Sequence, residues 1–197
     1  MFSRRSRLPL LFIATVIALS TLDETLAQSE AMVCREQFDV LVMLDRSNDV
    51  DPETFSAFKE LVKGIVSFFD IKEDGSHFGL MLYNNDAQPR MKLSMVNDQD
   101  AIMADLMADM PAREGRRDAK KSLTTMRQQL RKAAFGDRQD IMNKCFLLTT
   151  EEEASLTESP QYMMMAKACD NMLIVLRKGG DMAMDMIKSK ACPSALL

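Results

Sequence analysis

The chain has no tryptophan, a single histidine (His77) and no excess of positive charge. Each absence excludes something. Lys+Arg total 25 against 29 for Asp+Glu, a formal net charge of −4. The basic surface on which sequence-independent nucleic-acid binding depends is therefore missing. One histidine cannot supply the base of a nucleophilic site and a metal cluster as well. No GxGxxG, Walker-type or GxSxG pattern occurs, so no standard nucleotide cradle or nucleophile elbow is expected. The four cysteines form no CxxC pair, which argues against structural zinc. The chain is accordingly not expected to be an enzyme. After the first 27 residues no apolar run is long enough to cross a membrane, so the mature chain should carry no membrane span.

What is present is ordinary globular material. Hydrophobic residues make up 47% and charged ones 27%, which favours one packed domain over disorder. Methionine is the exception, with 18 residues. Residues 1–27 read as a secretory signal. Arg4, Arg5 and Arg7 precede the apolar stretch Leu8 to Leu22, and Thr25-Leu26-Ala27 offers small residues at the cleavage positions. A cut after Ser20 and an uncleaved anchor are the alternatives. Secretion places Cys34, Cys145, Cys169 and Cys192 in an oxidising compartment, where an even number fits two disulfides. Three pairings are open.

The remaining pattern alternates strand and helix. Phe38 to Leu44 is an apolar strand, ending in the polar loop Asp45-Arg46-Ser47-Asn48-Asp49. Asp51 stands as an N-cap with Pro52 at the first helical position. Phe55, Phe58, Leu61, Val62, Ile65, Val66 and Phe69 then recur at helical spacing, which predicts a helix over 52–69. A strand is expected over 77–83, a shorter edge strand over 90–95 and a helix over 98–110, stopped by Pro111. A helix from the polar loop 113–118 to about Ala134 should turn Leu123, Met126, Leu130 and Ala133 inward. Lys144 to Thr149 begins with Cys145 near the start of a buried-type strand. A loop with Glu151-Glu152-Glu153, a helix over 161–168, a strand over 172–176 and a helix over 181–190 complete the pattern. This order implies an α/β, doubly wound, mainly parallel sheet with helices on both faces. Ligands of such sheets sit at the carboxyl ends of the strands. The four cysteines fall at the opposite end.

Asp45-x-Ser47-x-Asp49 after an apolar strand, then Asp51-Pro52-Glu53, resembles the von Willebrand factor type A domain. Phe78-Gly79-Leu80-Met81-Leu82-Tyr83 is similar to that family's second strand, and Phe146-Leu147-Leu148-Thr149 to the strand before its Thr-Asp-Gly loop. The similarity spans about 36–190. The domain expectation is a signal at 1–27, an N-terminal segment at 28–35, the domain at 36–190 and a tail at 191–197, without the family's last strand and helix.

The resemblance implies a divalent cation, usually Mg²⁺, at the end of the first strand, held by oxygen ligands. Asp45 and Ser47 match that set, and Asp49 stands for a second serine. The family's loop threonine falls near Arg117, between Arg116 and Asp118. Its final aspartate falls at Thr150, followed by Glu151, so the resemblance places Arg117, Asp118, Thr150 and Glu151 on the expected ligand face. An arginine beside a cation is unfavourable, so a weakened or lost metal site is the expectation, and Arg117 paired with Asp45 is a candidate internal substitute. Among the pairings, the resemblance favours Cys34–Cys192 and Cys145–Cys169, because the fourth and fifth strands are neighbours in the family fold.

Other features carry bland expectations. Met163-Met164-Met165 and Met182, Met184 and Met186 are thioether clusters suited to Cu(I). Residues two apart diverge on a helix, so core filling is the favoured reading. Glu151 to Glu153 is expected in a solvated loop rather than at a Ca²⁺ or mineral site. Arg113, Arg116, Arg117, Lys120 and Lys121 are expected at a solvated helix start. An aspartyl phosphatase would need a second Asp where Ser47 stands. The functional expectation is a secreted module binding an extracellular protein ligand or matrix protein. The alternative is a structural matrix component, for example of a mineralised tissue, that self-associates without metal.

Overall fold

The computed structural model describes residues 33–95, 97–108, 110, 112–170 and 173–192. The expected signal at 1–27, Met172 and the last five residues lie outside the described residues. Five strands form one sheet in the order β3-β2-β1-β4-β5. They are β1 (Asp39–Asp45), β2 (His77–Tyr83), β3 (Ala87–Met91), β4 (Asn143–Leu148) and β5 (Leu173–Leu176). All neighbours are parallel except β2 and β3, which pair antiparallel.

The helices are α1 (Pro52–Phe68), α2 (Gln99–Ala108), α3 (Ala119–Leu130), α4 (Glu153–Thr157), α5 (Pro160–Ala168) and α6 (Asp181–Ala191). β1 is buried along its whole length and sits at the centre of the sheet. Its side chains alternate between faces, as strand geometry requires. Val40, Val42 and Leu44 join a core cluster with buried residues of α1, α2 and α6. Leu41 and Met43 join a second cluster with α3, Leu156 of α4, and α5. Helices therefore cover both faces, as the sequence predicts.

The start of α1 follows local chemistry. Asp51 Oδ1 accepts the Thr54 N–H at 2.9 Å, and Pro52 opens the helix. That hydrogen bond holds the Asp51 carboxyl below its usual pKa.

Several expectations need correction. The edge strand lies at 87–91 rather than 90–95, because the turn at Asn84 to Asp86 leads straight into it. The helix placed over 98–110 is shorter, with Asp98 accepting the Ala101 N–H at 2.7 Å ahead of it. α3 stops at Leu130, so Ala133 is exposed and Phe135 takes the buried position. The turn carrying Phe135 ends at Gly136, with φ of 92°. A Cβ there would stand 2.4 Å from the Ser94 backbone nitrogen, so only glycine fits. Glu153 opens the short helix α4 rather than lying in a loop. Cys145 is the third residue of β4 rather than near its first.

The methionine expectation also fails in part. Met43, Met81, Met91, Met126 and Met165 are buried. Yet among the described residues seven of the eight exposed large apolar side chains are methionines, with Met182 at 87% exposure. The surplus lies as much on the surface as in the core.

Two disulfides close the structure, Cys34–Cys192 and Cys145–Cys169. Cys34–Cys192 belongs to the α1/α2/α6 side of the core and Cys145–Cys169 to the α3/α5 side. At the end of the sheet where β1 begins, Asp39 is fully buried and meets Arg138 at 2.7 Å. Arg138 also donates to the carbonyls of Gly75 and Phe38. Burial raises the Asp39 pKa, and the Arg138 hydrogen bonds and charge only partly oppose it. A raised folded pKa gives stability that is present below the ordinary carboxylate range and lost as pH rises through the folded value. Removing the counter-ion enlarges that rise. The deficit of Arg138→Met against the parent protein, measured by urea midpoints, is therefore expected to be largest at neutral pH. It should shrink towards about pH 4, near the ordinary Asp pKa. A deficit that stays constant or grows on acidification contradicts this.

Candidate functional site

β1, β2 and β4 end together, and their loops meet above the sheet. The β1 ladder runs Asp45 beside Tyr83 and Leu44 beside Leu148. Asp45 is fully buried at the tip of β1. Its Oδ1 accepts the Ser47 N–H at 3.0 Å, which turns the chain sharply away from the strand. Its Oδ2 accepts from Thr149 Oγ1 at 3.2 Å.

The same Oδ2 accepts from Arg117 Nη1 at 3.1 Å. That Nη1 also donates to Thr150 Oγ1 at 2.8 Å. Arg117 Nε lies 2.7 Å from Glu151 Oε2. The Arg117 backbone N–H donates to Asp49 Oδ2 at 2.8 Å. One residue therefore joins the β1 loop, the β4 loop and its own segment. Its side chain is only 17% exposed. Burial pulls its pKa down, but the hydrogen bond and charge of Asp45, then Glu151, more than offset that and hold it above the usual value. Tyr83 is buried beside this cluster. Burial first, and the Asp45 charge second, push its phenol well above the ordinary range.

The loops are tied to one another by backbone. Glu114 N–H donates to Arg46 O, and Asn48 N–H to Gly115 O, each at 2.8 Å. Arg46 and Glu114 also form an ion pair. Asp118 N–H donates to Asn84 O at 2.8 Å, and Asn84 Nδ2 to Glu114 O at 3.1 Å. Arg113 Nη1 donates to Val50 O. Gly115 needs its left-handed φ of 69° where these loops touch. Such a cross-tied face leaves little backbone freedom to lose on binding.

The sequence-derived residues sort into three groups. Asp45, Asp49, Arg117, Thr150 and Glu151 are brought together. Ser47 is buried beside them, but its Oγ has no hydrogen-bond partner among the described residues. Asp118 is not part of the cluster. Its Oδ1 caps α3 by accepting the Lys121 N–H at 3.0 Å. Of the two arginines considered, Arg117 turns inward and Arg116 is exposed.

Two residues escaped the sequence reading. Thr149 bridges Asp45 and the Glu151 N–H. Asn84 links the β2 loop to the 113–118 segment. Thr149 was readable only as the end of a strand, since nothing local shows that its hydroxyl turns towards β1. No group of three or more His, Cys, Asp or Glu side chains converges as a metal cluster among the described residues.

A family model described as von Willebrand factor type A domain matches residues 39–185. No curated protein matches the chain. Among solved structures, the fold is similar to proximal thread matrix protein 1 from the mussel byssus with a zinc-occupied MIDAS motif. The TM-score is 0.59 at 20% identity, covering 73% of this chain and 38% of that one. It is also similar to the manganese-loaded TRAP protein of Plasmodium vivax, with a TM-score of 0.57 at 14% identity, covering 81% of this chain and 64% of that one. The chain thus spans under half the length of the mussel protein.

Proposed function

The chain belongs to the von Willebrand factor type A domain family, and on that premise we propose that it is a secreted protein-binding module of extracellular matrix or adhesion type. In this reading an internal ion pair stands where related folds hold a metal. The observation that carries the proposal is the Arg117 guanidinium, bonded at once to Asp45, Thr150 and Glu151.

A divalent cation such as Mg²⁺ needs close oxygen ligands in near-octahedral geometry. Arg117 Nη1 lies between Asp45 Oδ2 and Thr150 Oγ1, at 3.1 and 2.8 Å. A guanidinium nitrogen in that place takes the oxygens a metal would need and adds a like charge beside it. The residues present therefore do not fit a divalent cation while Arg117 keeps this position. Ser47 Oγ, a member of the family-type set, is buried without a hydrogen-bond partner among the described residues. The solved relatives with zinc and manganese make cation binding the alternative, and it requires Arg117 to leave.

The binding face in this reading is formed by loops 45–51, 84–89, 113–118 and 150–158. Its cross-tied backbone presents a preformed surface, so ligand affinity should owe little to closure or metal loading. Catalysis has no part in it. His77 lies at the start of β2, away from the cluster, with Nε2 3.1 Å from Glu73 O. The two disulfides are consistent with secretion.

Solid-phase binding of the purified chain to a panel of extracellular matrix proteins, with and without EDTA, tests the proposal. Saturable binding to a panel member that EDTA leaves unchanged is the expected result. Binding abolished by EDTA and restored by Mg²⁺ overturns the metal-free reading. EDTA-insensitive self-association without any matrix ligand replaces it with the structural-component reading.

A further inference from the structure

Methionine is spread over the surface in a way that neither helix formation nor docking accounts for. Among the described residues, seven methionines are exposed against five buried in the core. Five of the seven stand on helices: Met107 on α2, Met163 and Met164 on α5, and Met182 and Met186 on α6. Methionine belongs to the same helix-forming class as Lys, Glu and Gln. A polar helix former would hold these helices equally well and would expose no apolar surface. The positions are also scattered. α2 and α6 pack on one face of the sheet and α5 on the other, while Met142 precedes β4. A single docked partner does not cover them all.

What the seven share is the thioether. Its sulfur reacts with two-electron oxidants, and the rest of the surface offers such oxidants little. All four cysteines are held in disulfides. There is no tryptophan, Tyr83 is buried and Tyr162 is half-buried. Oxidation also disturbs these positions little. A sulfoxide is more polar than a thioether, so it disrupts a core but suits solvent. The methionines whose oxidation would break the packing, such as Met43, Met81 and Met126, are fully buried.

We propose that the exposed methionines are an oxidant sink, at which the chain consumes peroxides and keeps its fold while doing so. The sulfur lone pair attacks one peroxide oxygen and the O–O bond breaks. The proton carried by the transferred oxygen passes to the departing hydroxide. The products are a sulfoxide and water, with the thioether oxidised by two electrons and the peroxide reduced by two. The sulfurs are not equivalent. Arg127 Nη1 donates to Met164 Sδ at 3.2 Å, and the Lys92 N–H to Met95 Sδ at 3.4 Å. A donor on this weakly accepting sulfur draws on the lone-pair density that the reaction uses. Met164 therefore reacts after its neighbour Met163, whose sulfur has no donor among the described residues. None of these positions belongs to the Arg117 cluster, so the inference goes beyond the binding role proposed above and survives its failure.

Titration of the full chain with hydrogen peroxide tests this, read residue by residue by peptide mass mapping and followed by thermal unfolding. The expected result is oxidation of the seven exposed methionines before any of the five buried ones, with the melting temperature unchanged at that point. Met164 should lag behind Met163, and Arg127→Leu should remove the lag. A variant with leucine at the seven exposed positions should lose most of the peroxide uptake. The readings on the parent chain and on Arg127→Leu decide the matter even if that variant fails to fold. Buried and exposed methionines reacting together would overturn the proposal. So would a melting temperature that falls with the first oxygens, a lag that Arg127→Leu leaves in place, or a folded leucine variant that takes up as much peroxide as the parent.

Discussion

Arg117→Met destabilises the folded chain by about 3 kcal/mol if the guanidinium is the counter-ion that Asp45 needs. Asp45 is completely buried and Arg117 is only 17% exposed. Breaking a buried pair by removing one member strands the other charge, which costs about 3–5 kcal/mol. The lower end applies here, because the Ser47 N–H and the Thr149 hydroxyl still reach the carboxylate. Glu151 and Thr150 lose a partner at the same time. The effect belongs to the pair rather than to either residue. Asp45→Asn combined with Arg117→Met should therefore recover much of the loss, giving a coupling of about 1–3 kcal/mol in a double-mutant cycle. Arg116→Met is the control. Its side chain is exposed, so its change should stay within about 0.5 kcal/mol. Urea denaturation at neutral pH of the parent, Arg117→Met, Asp45→Asn, the double variant and Arg116→Met measures all of this. Equal effects at Arg116 and Arg117, or no coupling with Asp45, would refute the central role of the pair.

The second large effect concerns the disulfides. Cys34–Cys192 closes a loop of sequence separation 158, and Cys145–Cys169 one of 24. In the chain-entropy account, a cross-link stabilises by restricting the unfolded chain, and the restriction grows with the logarithm of loop length. This gives about 5 kcal/mol for the long loop and about 3.5 kcal/mol for the short one. Replacing both members of each pair by alanine, in separate variants, should therefore reveal an order with Cys34–Cys192 the larger loss. The long bridge also holds the start of the described chain against α6. Cys34 N–H donates to Phe68 O at 2.7 Å, and the Asp70 N–H donates to Cys34 O at 3.0 Å. Thermal or urea unfolding of the two variants checks the order. A larger loss from Cys145–Cys169 would show that local packing around β4 outweighs loop entropy.

Much of this was legible in the sequence, for physical reasons that differ by element. β1 and α1 were readable because burial on both faces gives a continuous apolar strand, and burial on one face gives helical spacing. The Asp51-Pro52 start is local chemistry that survives in any context. β3 was misplaced because a short edge strand is held by its partner rather than by its own pattern. Its start is fixed by the Asn84 to Asp86 turn and its register by β2. Ala133 was placed inward, where the structure buries Phe135 instead, because helix periodicity does not show where a glycine with positive φ will end a turn.

The site divides the same way. Asp45, Asp49, Arg117, Thr150 and Glu151 could be placed by the resemblance to the family's motif. Asp118 was assigned to the face because the sequence does not show that its carboxylate is already engaged as a helix cap. Thr149 was passed over because its use depends on a contact between β1 and β4, which are far apart in sequence. The methionines were misread for a related reason. Composition counts apolar residues, but it does not show which ones the fold leaves on the surface.

The measurement that tests the account most directly is thermal unfolding of the parent protein and of Arg117→Thr, each in EDTA and in millimolar Mn²⁺. Arg117→Thr removes the competing cation and adds a hydroxyl beside Asp45, Ser47 and Thr150. A ligand that binds only the folded state raises the melting temperature, by an amount that grows with the logarithm of its concentration over Kd. The parent is expected to melt at the same temperature in both conditions, while Arg117→Thr melts higher in Mn²⁺ than in EDTA. A parent protein whose melting temperature rises with Mn²⁺, and whose rise is lost in Asp45→Ala, would contradict the account.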